Sequence, residues 1–335
     1  MAGRSLTRVV TLAWCRFQPR TAALAAALDG EAHFIAPSGR SRLSRSLAAR
    51  YLRSATITWR QLEQSRPAVV IAITPPVFAP LVAWAWCRRR GRQLVIDFHT
   101  GALHSRRWGW AQPLHRFLAR RAAAATLHTS EAADEVSGWG ARALLLPDDV
   151  PDAPPRTAAD QRRANRVVVA GSLDHREPVA AALAAASLTP EVEWRFTGDP
   201  EQVSGAVRAC APVNVIFTGW LAYDRFLEEL GIADVVAAFS TDSTIMNRAA
   251  FEAIGLARPL VLSDLPGLRS RFSDAAVFCS NDPSSMAAAV RYALAERDVL
   301  AARSSELKAR LRLMHSDALA QLETALGGAL VPAHG

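Results

Sequence analysis

The sequence predicts an α/β fold made of two Rossmann-like parallel-sheet domains that face each other across a cleft. Short apolar segments alternate with helical segments along nearly all of the 335 residues, and this alternation builds parallel sheets with helices on both faces. A chain of that length is too long for one comfortable core and suits two domains. A stretch rich in Pro and Asp, residues 147–165, interrupts the alternation near the middle and is typical of a linker.

In the N-terminal half, apolar strands and helices alternate from residue 8 to residue 146. The uncharged segment 67–87 is long enough to cross a bilayer. Its three prolines, Pro75, Pro76 and Pro80, instead favour a strand, a turn and a new helix. We predict strands at 8–12, 33–35, 69–73, 94–98, 125–128 and 143–146, and helices at 21–28, within 43–64, at 76–90, about 113–124 and 131–139.

In the C-terminal half, the alternation restarts after the linker and ends in a mostly helical tail. We divide the chain into an N-terminal domain over 1–150, a linker over 151–165, a C-terminal domain over 166–315 and a C-terminal helix or tail over 316–335. We predict strands at 167–170, 193–197, 213–218, 235–239, 260–263 and 276–279, and helices at 179–186, 223–230 and 248–256.

The charge is distributed unevenly between the two halves. Residues 1–150 hold 21 arginines and nine acidic residues, whereas the chain as a whole has a net charge of +8. Such a basic half should attract an anionic partner, although solvated arginines that keep an apolar protein soluble are the alternative explanation. Trp84 and Trp86 beside Arg88 are typical of a peripheral contact with an anionic membrane. Because the aromatic and basic interleaving of RNA-binding sheets is missing, we expect no nucleic-acid partner.

The cysteines and the N-terminus indicate the compartment. The four cysteines, Cys15, Cys87, Cys210 and Cys279, are far apart and form neither a C-x-x-C pair nor a zinc ribbon. Scattered cysteines in a chain of this length are typical of reduced thiols in a cytoplasmic protein. The first residues have too short an apolar run for a signal peptide. We therefore expect a cytoplasmic, bacterial protein with a peripheral membrane contact.

Several common motifs are missing from the sequence. It has no G-x-G-x-x-G after a strand, no P-loop, no H-E-x-x-H, no EF-hand loop and no G-x-S-x-G, which argues against the usual dehydrogenase, ATPase, zinc protease and hydrolase classes. Ligands of open parallel sheets bind beyond the carboxyl ends of the strands. The loops to inspect are therefore 99–104, 171–178, 198–201, 218–223, 240–247 and 263–266.

Two of these loops carry the chemistry that the sequence suggests. In TDSTIMNRAAFEAIGLARPLVLSD, residues 241–264, small hydroxyl side chains precede a helix that bears Glu252, and the amides at a helix start favour phosphate. Asp97 lies near the end of the predicted strand 94–98 and His99 directly follows it; the two share one face and are candidate general bases. His104 is a weaker candidate for the same role.

The order of these segments resembles the GT-B glycosyltransferases, and within them a GT4-like group. The segments that carry the resemblance in the C-terminal domain are VVVAGSLDHREP (167–178), FTGDP (196–200), ADVVAAFSTD (233–242) and the stretch 241–264. VIDFHTGA (95–102) adds to it in the N-terminal domain. The piece VIDFH is also similar to a strand of the chitobiosyldiphosphodolichol β-mannosyltransferases.

The resemblance implies a GDP- or UDP-linked sugar donor bound mainly by the C-terminal domain, and a hydroxyl acceptor presented by the N-terminal domain. Glu252 matches the carboxylate that holds the ribose hydroxyls in this group. GT-B enzymes generally work without a metal ion, so we expect neither a metal nor a cofactor. The residues implied for the donor nucleotide are Gly171, Ser172, Arg176, Gly198, Ser243, Thr244, Ile245, Arg248 and Glu252.

The sequence departs from the group at several of these positions. Thr244 stands where relatives have a second glutamate, and Ser172 stands where they have an arginine that contacts the diphosphate. Arg176, one residue away from the usual lysine, and Arg248 are candidates to replace that cation. Arg16 lies in the first N-terminal loop, where a glycine pair is expected, and is a candidate anion contact.

We therefore expect a glycosyltransferase of the hexosyltransferase type, acting on a glycan, lipid-linked or secondary-metabolite acceptor in polysaccharide or glycoconjugate synthesis. Asp97 and His99 are the candidate catalytic residues, because either could take the proton of the acceptor hydroxyl. A nucleotide-sugar epimerase of the same fold is one alternative. A non-catalytic partner subunit is the other, and it is favoured by Thr244 and Ser172 at the expected binding positions.

Overall fold

The structure is a computed structural model, and it describes residues 9–36, 46–151, 165–243 and 247–327. The chain forms two compact units, unit 1 (Met1–Asp149 with Met314–Gly335) and unit 2 (Val150–Leu313). Each unit contains one six-stranded sheet, and every strand pair in both sheets is parallel. The predicted α/β fold with two parallel-sheet domains is confirmed. Most of the predicted linker 151–165 lies outside the described residues.

The sheet of unit 1 has the strand order β2-β1-β3-β4-β5-β6. Its central strands are buried and rich in Val and Ile, as parallel strands covered on both faces must be. The elements are β1 (Val9–Ala13), α1 (Pro19–Ala27), β2 (Glu31–Phe34), α2 (Leu47–Ser65), β3 (Val69–Thr74), α3 (Phe78–Arg90), β4 (Gln93–Phe98), α4 (Thr100–His104), α5 (Gln112–Ala119), β5 (Ala124–Leu127), α6 (Ser130–Gly138) and β6 (Ala143–Leu145).

Alternate residues of these strands pack into separate cores, because successive side chains of a strand point to opposite faces. Val10 and Leu12 of β1 lie in the larger core, together with side chains of α2, α3, α5 and α6. Val9 lies in a smaller core that includes Leu322, near the end of the last helix of the chain.

The proline-containing segment 67–87 folds as a strand, a turn and a helix, as predicted. The peptide bonds Thr74–Pro75 and Pro75–Pro76 are both cis and connect β3 to α3. Within the described part of the chain, no helix is both long and apolar enough to cross a membrane. Trp86 is only 1% exposed and donates from its indole nitrogen to Glu63. The expected membrane contact through Trp86 is therefore wrong, because its ring belongs to the core.

The sheet of unit 2 has the order β12-β11-β10-β7-β8-β9. Val167 and Val169 pack with α7 and α12 on one face, and Val168 packs with α10 and α11 on the other. The elements are β7 (Arg166–Val169), α7 (Val179–Ser187), β8 (Glu193–Thr197), α8 (Gly205–Ala209), β9 (Val215–Gly219), α9 (Tyr223–Gly231), β10 (Val235–Ala238), α10 (Arg248–Gly255), β11 (Leu260–Ser263), α11 (Pro266–Phe272), β12 (Ala276–Cys279), α12 (Pro283–Ala295) and α13 (Arg297–Ala325).

The largest boundary error concerns α5, which was predicted to continue to residue 124 and instead ends at Ala119. The chain must turn there, because Ala124 already pairs with Val95 as the first residue of β5. The short helices α4, α8 and α11 were not predicted, since none is long enough to show a helical apolar period.

Both sheets have a point at which the strand order reverses. In unit 1 it lies between β1 and β3, and in unit 2 between β7 and β10. In doubly wound sheets the connections leave these neighbouring strands towards opposite faces, which opens a crevice at their carboxyl ends. Each unit therefore has one crevice in which a ligand site is expected.

Candidate functional site

In unit 2, the loops that follow β7 and β10 are joined by hydrogen bonds at this crevice. Thr241 donates to the Arg176 carbonyl oxygen from its backbone nitrogen at 2.7 Å and from its hydroxyl at 2.9 Å. The predicted residues Gly171, Ser172 and Arg176 thus share one edge of the sheet with the loop that leads to Ser243, which is exposed. Thr244 and Ile245 lie outside the described residues.

Gly198 brings the end of β8 against the loop after β7. Its φ of +100° is unfavourable for other residues, and an added Cβ would lie 2.7 Å from the Gly171 carbonyl oxygen. Ser172 backbone atoms lie as close as 2.8 Å to the same position. The predicted donor residue Gly198 therefore has a clear structural function, which is to allow two loops of the crevice to touch.

A carboxylate already occupies the amides of the loop after β7. Glu177 accepts hydrogen bonds from the Ser172 backbone nitrogen at 2.9 Å, the Ser172 hydroxyl at 3.1 Å and the Leu173 backbone nitrogen at 3.0 Å. An added Cβ on Gly171 would lie 2.1 Å from a Glu177 carboxylate oxygen, so a larger residue there would require the Glu177 side chain to move. The loop has the geometry of an anion site, and the anion that it binds is the protein's own Glu177 carboxylate.

Arg176, a predicted replacement for the diphosphate cation, is paired with a neighbour. Its guanidinium Nε lies 3.1 Å from both carboxylate oxygens of Asp174, and the side chain is exposed. The hydrogen bond from Arg176 is the main cause that lowers the pKa of Asp174 to about 2. Asp174 therefore neutralises much of the charge that Arg176 would offer to a phosphate.

Glu252 lies in the second turn of α10 and is only 3% exposed. The Arg248 Nε, one turn earlier, lies 3.3 Å from a Glu252 carboxylate oxygen. Burial, and secondarily the charge of Glu252, raise the pKa of Tyr223 to about 12, and the Tyr223 hydroxyl is hydrogen-bonded to both Arg248 and Glu252. The structure thus brings the two predicted residues together and adds Tyr223, which the sequence did not indicate.

In unit 1, Asp97 is part of a buried ionic cluster. Arg20 Nε and Nη2 donate to Asp97 oxygens at 2.9 Å, and Arg20 Nη1 donates to Asp148 at 3.1 Å. The Thr126 hydroxyl donates to Asp97 at 2.7 Å. Burial opposes the ionisation of Asp97, but the charge and hydrogen bonds of Arg20 outweigh it and lower the pKa of the carboxyl. This arrangement favours a structural role for Asp97 over the predicted role as a base.

His99 lies beyond the end of β4 and is exposed. Its ring centroid is 5.4 Å from that of the buried His128, and the His128 Nδ1 lies 3.2 Å from Asp148 Oδ2. Surrounding protein atoms partly desolvate the ring of His99, and this desolvation, followed by the nearby His128, lowers its pKa. His99 is therefore a neutral imidazole at pH 7 and can accept a proton. His104 is exposed, and its Nε2 lies 3.9 Å from a Glu135 oxygen.

Arg20, His128 and Asp148 are site residues that the sequence reasoning missed. His128 directly follows β5 and Asp148 lies in the segment after β6, so the rule that sites lie at strand carboxyl ends could have included both. Arg20 lies in the first turn of α1, and no pattern in the sequence indicated it as a site residue.

The crevice of unit 1 contains a cavity of about 490 Å³. It is lined by residues that follow β1, β2 and β3, including Arg16, the predicted anion contact. Among the side chains that the structure describes, no group of three or more His, Cys, Asp or Glu is placed to hold a metal ion.

Comparison with known proteins links part of the chain to a family. Residues 164–296 match the family model described as glycosyl transferases group 1, and this segment lies within unit 2. A search of curated proteins finds no match.

Solved structures match nearly the whole chain at low sequence identity. Sucrose-phosphate synthase from Thermosynechococcus elongatus is 13% identical with a TM-score of 0.71, over 96% of this chain and 100% of that one. Anabaena HepE in complex with UDP and glucose is 14% identical with a TM-score of 0.69, over 95% and 100%. A putative UDP-N-acetylglucosamine 2-epimerase from Listeria monocytogenes is 12% identical with a TM-score of 0.68, over 96% and 97%.

At these identities the structural matches show the fold, which is that of the GT-B proteins. The family match in unit 2 supports a glycosyl transfer function. The likeness to the β-mannosyltransferases and the roles of the individual site residues stay predictions.

Proposed function

We propose that this protein transfers a sugar from a nucleotide-diphosphate donor, GDP- or UDP-linked, to a hydroxyl acceptor. The observation that carries the proposal is Glu252, a buried carboxylate in the helix after β10, within the segment that matches the glycosyl transferases group 1 family. A buried carboxylate accepts hydrogen bonds only. The two hydroxyls of a ribose can donate to it beside Arg248 and Tyr223.

Unit 2 would hold the donor with few charged groups. Arg248 at the start of α10 places a cation beside Glu252 at 3.3 Å, and helix-start amides add partial positive charge. Both favour the diphosphate, most of all when it leaves with the electron pair of the broken sugar C1–O bond.

Unit 1 would supply the acceptor and the base. When the acceptor oxygen forms its new bond to C1 of the sugar, its proton must leave, and we assign His99 to accept it. His99 suits this role because it is exposed at a strand end and its pKa is lowered. We assign Asp97 to hold Arg20, and Asp148 to orient His128 through the 3.2 Å contact with its Nδ1.

The test is nucleotide binding by a Glu252→Gln variant, measured by isothermal titration calorimetry. A thermal-shift panel of UDP-, GDP- and other nucleotide sugars first identifies the nucleotide that stabilises the native protein. Loss of the charged acceptor should weaken its affinity by about 1–3 kcal/mol, or roughly 5- to 150-fold. Glu229→Gln is the matched control, because Glu229 is a partly buried glutamate of unit 2 that also pairs with an arginine, Arg195.

Unchanged affinity of the Glu252→Gln variant would show that Glu252 does not hold the ribose. Product analysis separates the alternatives. An epimerase would convert the donor sugar without any acceptor, whereas a partner subunit would bind the nucleotide and show no turnover with any acceptor.

A further inference from the structure

The cavity of unit 1 is bordered by three arginines. Arg16 follows β1, Arg50 lies in α2 and Arg107 lies in the segment after α4. All three are exposed, and among the described residues none of their guanidinium groups has an ion-pair partner within 4 Å. No acidic side chain is found among the described residues that line the cavity. The cavity edge therefore has a concentration of positive charge that no acidic side chain in the described part of the chain neutralises through an ion pair.

The lining also contains aromatic rings that are held in place. The Trp14 indole nitrogen donates to the Thr58 hydroxyl at 2.9 Å, and the Trp14 ring stacks on Tyr51 with centroids 6.0 Å apart. Trp108, which is 8% exposed, also lines the cavity. Fixed aromatic rings provide a flat apolar surface for the C–H face of a sugar ring or another apolar group.

The candidate base lies beside this cavity. The His99 backbone nitrogen donates to the Thr74 carbonyl oxygen at 2.9 Å, and the next residue, Pro75, lines the cavity. A ligand in the cavity would therefore lie next to the end of β4, where His99 is exposed.

We propose that this cavity binds the acceptor, and that the acceptor carries a phosphate or diphosphate group close to its reacting hydroxyl. The assignment rests on the proposed glycosyl transfer. Three guanidiniums that line one cavity, each without an ion-pair partner among the described residues, match the charge and the bidentate geometry of phosphate oxygens. A volume of about 490 Å³ is in the range of small-ligand sites and suits one phosphorylated sugar ring better than a long glycan. The aromatic lining then contacts the ring.

Two sources could supply this chemistry, a soluble sugar phosphate or the phosphate of a lipid-linked glycan intermediate. The experiment measures binding to the full-length protein in two arms. The first arm uses calorimetry with hexose phosphates. The second arm uses fluorescence with a polyprenyl diphosphate sugar in detergent micelles. The unphosphorylated sugar is the reference in each arm. We expect a phosphorylated compound to bind at least tenfold more tightly than its reference in one arm, and that arm identifies the source.

Substitution of the arginines locates the binding. Arg16→Gln, Arg50→Gln and Arg107→Gln should each weaken the binding of the phosphorylated compound about tenfold, the effect of one charge-assisted hydrogen bond. The combined variant should abolish its preference over the unphosphorylated sugar. Arg53→Gln is the matched control, because Arg53 is also exposed on α2 but does not line the cavity. Wild-type affinity in the combined variant, or no preference for phosphate in either arm, overturns the proposal.

The outcome is distinguishable from a failure of the proposed function. If nucleotide sugars do not bind but a hexose phosphate binds through the three arginines, the phosphate site is correct and glycosyl transfer is wrong. If the wild-type protein transfers sugar to an unphosphorylated acceptor as fast as to its phosphorylated counterpart, glycosyl transfer is correct and the phosphate site is wrong.

Discussion

The two units each contain a pair of arginine and buried carboxylate, and the two pairs differ in the elements that they join and in the exposure of the arginine. In unit 1, Arg20 contacts both oxygens of Asp97, one oxygen of Asp148 and the carbonyl oxygens of Leu146 and Pro147. In unit 2, the Arg248 Nε lies 3.3 Å from a Glu252 carboxylate oxygen, the Tyr223 hydroxyl is hydrogen-bonded to both residues, and the Arg248 side chain is 26% exposed.

The difference distinguishes a pair that stabilises the fold from a pair that can bind a ligand. Arg20 connects α1 to β4 and to the segment after β6, which are far apart in sequence. Arg248 and Glu252 lie on successive turns of one helix, so their contact joins no separate elements. A buried pair that joins distant elements stabilises its unit, whereas a pair within one helix, whose arginine reaches solvent, can exchange contacts with a substrate.

The largest effect on stability should come from breaking the pair of Arg20 and Asp97 in unit 1. Arg20→Met leaves the Asp97 and Asp148 carboxylates in a buried site without their cation, and we expect a loss of about 3–5 kcal/mol in the free energy of unfolding. Urea unfolding followed by tryptophan fluorescence measures this loss. The signal reports mainly on unit 1, which contains seven of the nine tryptophans.

The matched substitution in unit 2 is Arg248→Met. Because Arg248 is partly exposed, solvent can take its place beside Glu252, and we expect a loss of no more than about 1 kcal/mol. Circular dichroism, which reports on both units, measures it. Equal losses for the two variants would remove the distinction between the pairs.

Acid should weaken unit 1 through a different group. His115 is 1% exposed, and burial lowers its pKa from 6.5 to about 4. Because the folded pKa lies below the unfolded one, the native state loses stability as pH falls from 6.5 towards 4, by about 3 kcal/mol in total. The Arg20 cluster should persist over this range, since the pKa of Asp97 is lowered. In unit 2, the pKa of Asp174 is lowered to about 2 and that of Tyr223 is raised to about 12, so both groups titrate outside this pH range.

His115→Gln tests this assignment, because a glutamine amide can keep the contact that His115 Nε2 makes with the Thr74 hydroxyl at 3.0 Å. Urea unfolding at pH 7, 5.5 and 4.5 should show a flatter pH dependence for the variant than for the wild type. An identical slope would mean that another group causes the acid sensitivity.

The fold could be predicted from the sequence because its signals are local. Apolar runs bounded by turns gave the limits of β8, β11 and β12 as they are found. The stretch 248–256 was also correct as a helix to within one residue. Local patterns did not reveal the five-residue helices α4 and α8, which contain too few residues to repeat a period.

The candidate site was only partly accessible to the same reasoning. The rule for strand ends located the right loops, but the state of each side chain depends on partners distant in sequence. Asp97 is bonded to Arg20, 77 positions away, and nothing in the residues around Asp97 indicates that partner. A local carboxylate was missed as well. Glu177 is close to Ser172 in sequence, but its contact with the Ser172 amide depends on the backbone path of the loop.

The smallest expected effect concerns Glu177, a third carboxylate to compare with Asp97 and Glu252. Its carboxylate is held by amides and a hydroxyl instead of a guanidinium. If the donor diphosphate binds at this loop, the negative charge of Glu177 opposes it. Glu177→Gln retains the shape of the side chain and an acceptor oxygen. We expect it to increase nucleoside diphosphate affinity by about 1 kcal/mol, or roughly fivefold, the size of a solvent-screened charge interaction at short range. Calorimetry measures the change.

Asp174→Asn in the same loop is the matched control, since it removes a carboxylate that is held mainly by the Arg176 guanidinium, with the Arg176 backbone amide as a further donor at 2.9 Å. The freed Arg176 could also attract the diphosphate, so the two variants are compared in high salt, which screens the exposed Arg176 more than the partly buried Glu177. The gain from Glu177→Gln should persist there, and that from Asp174→Asn should disappear. Equal or weaker nucleotide binding by Glu177→Gln would show that the loop after β7 keeps its internal anion, and that the donor phosphates bind only near α10.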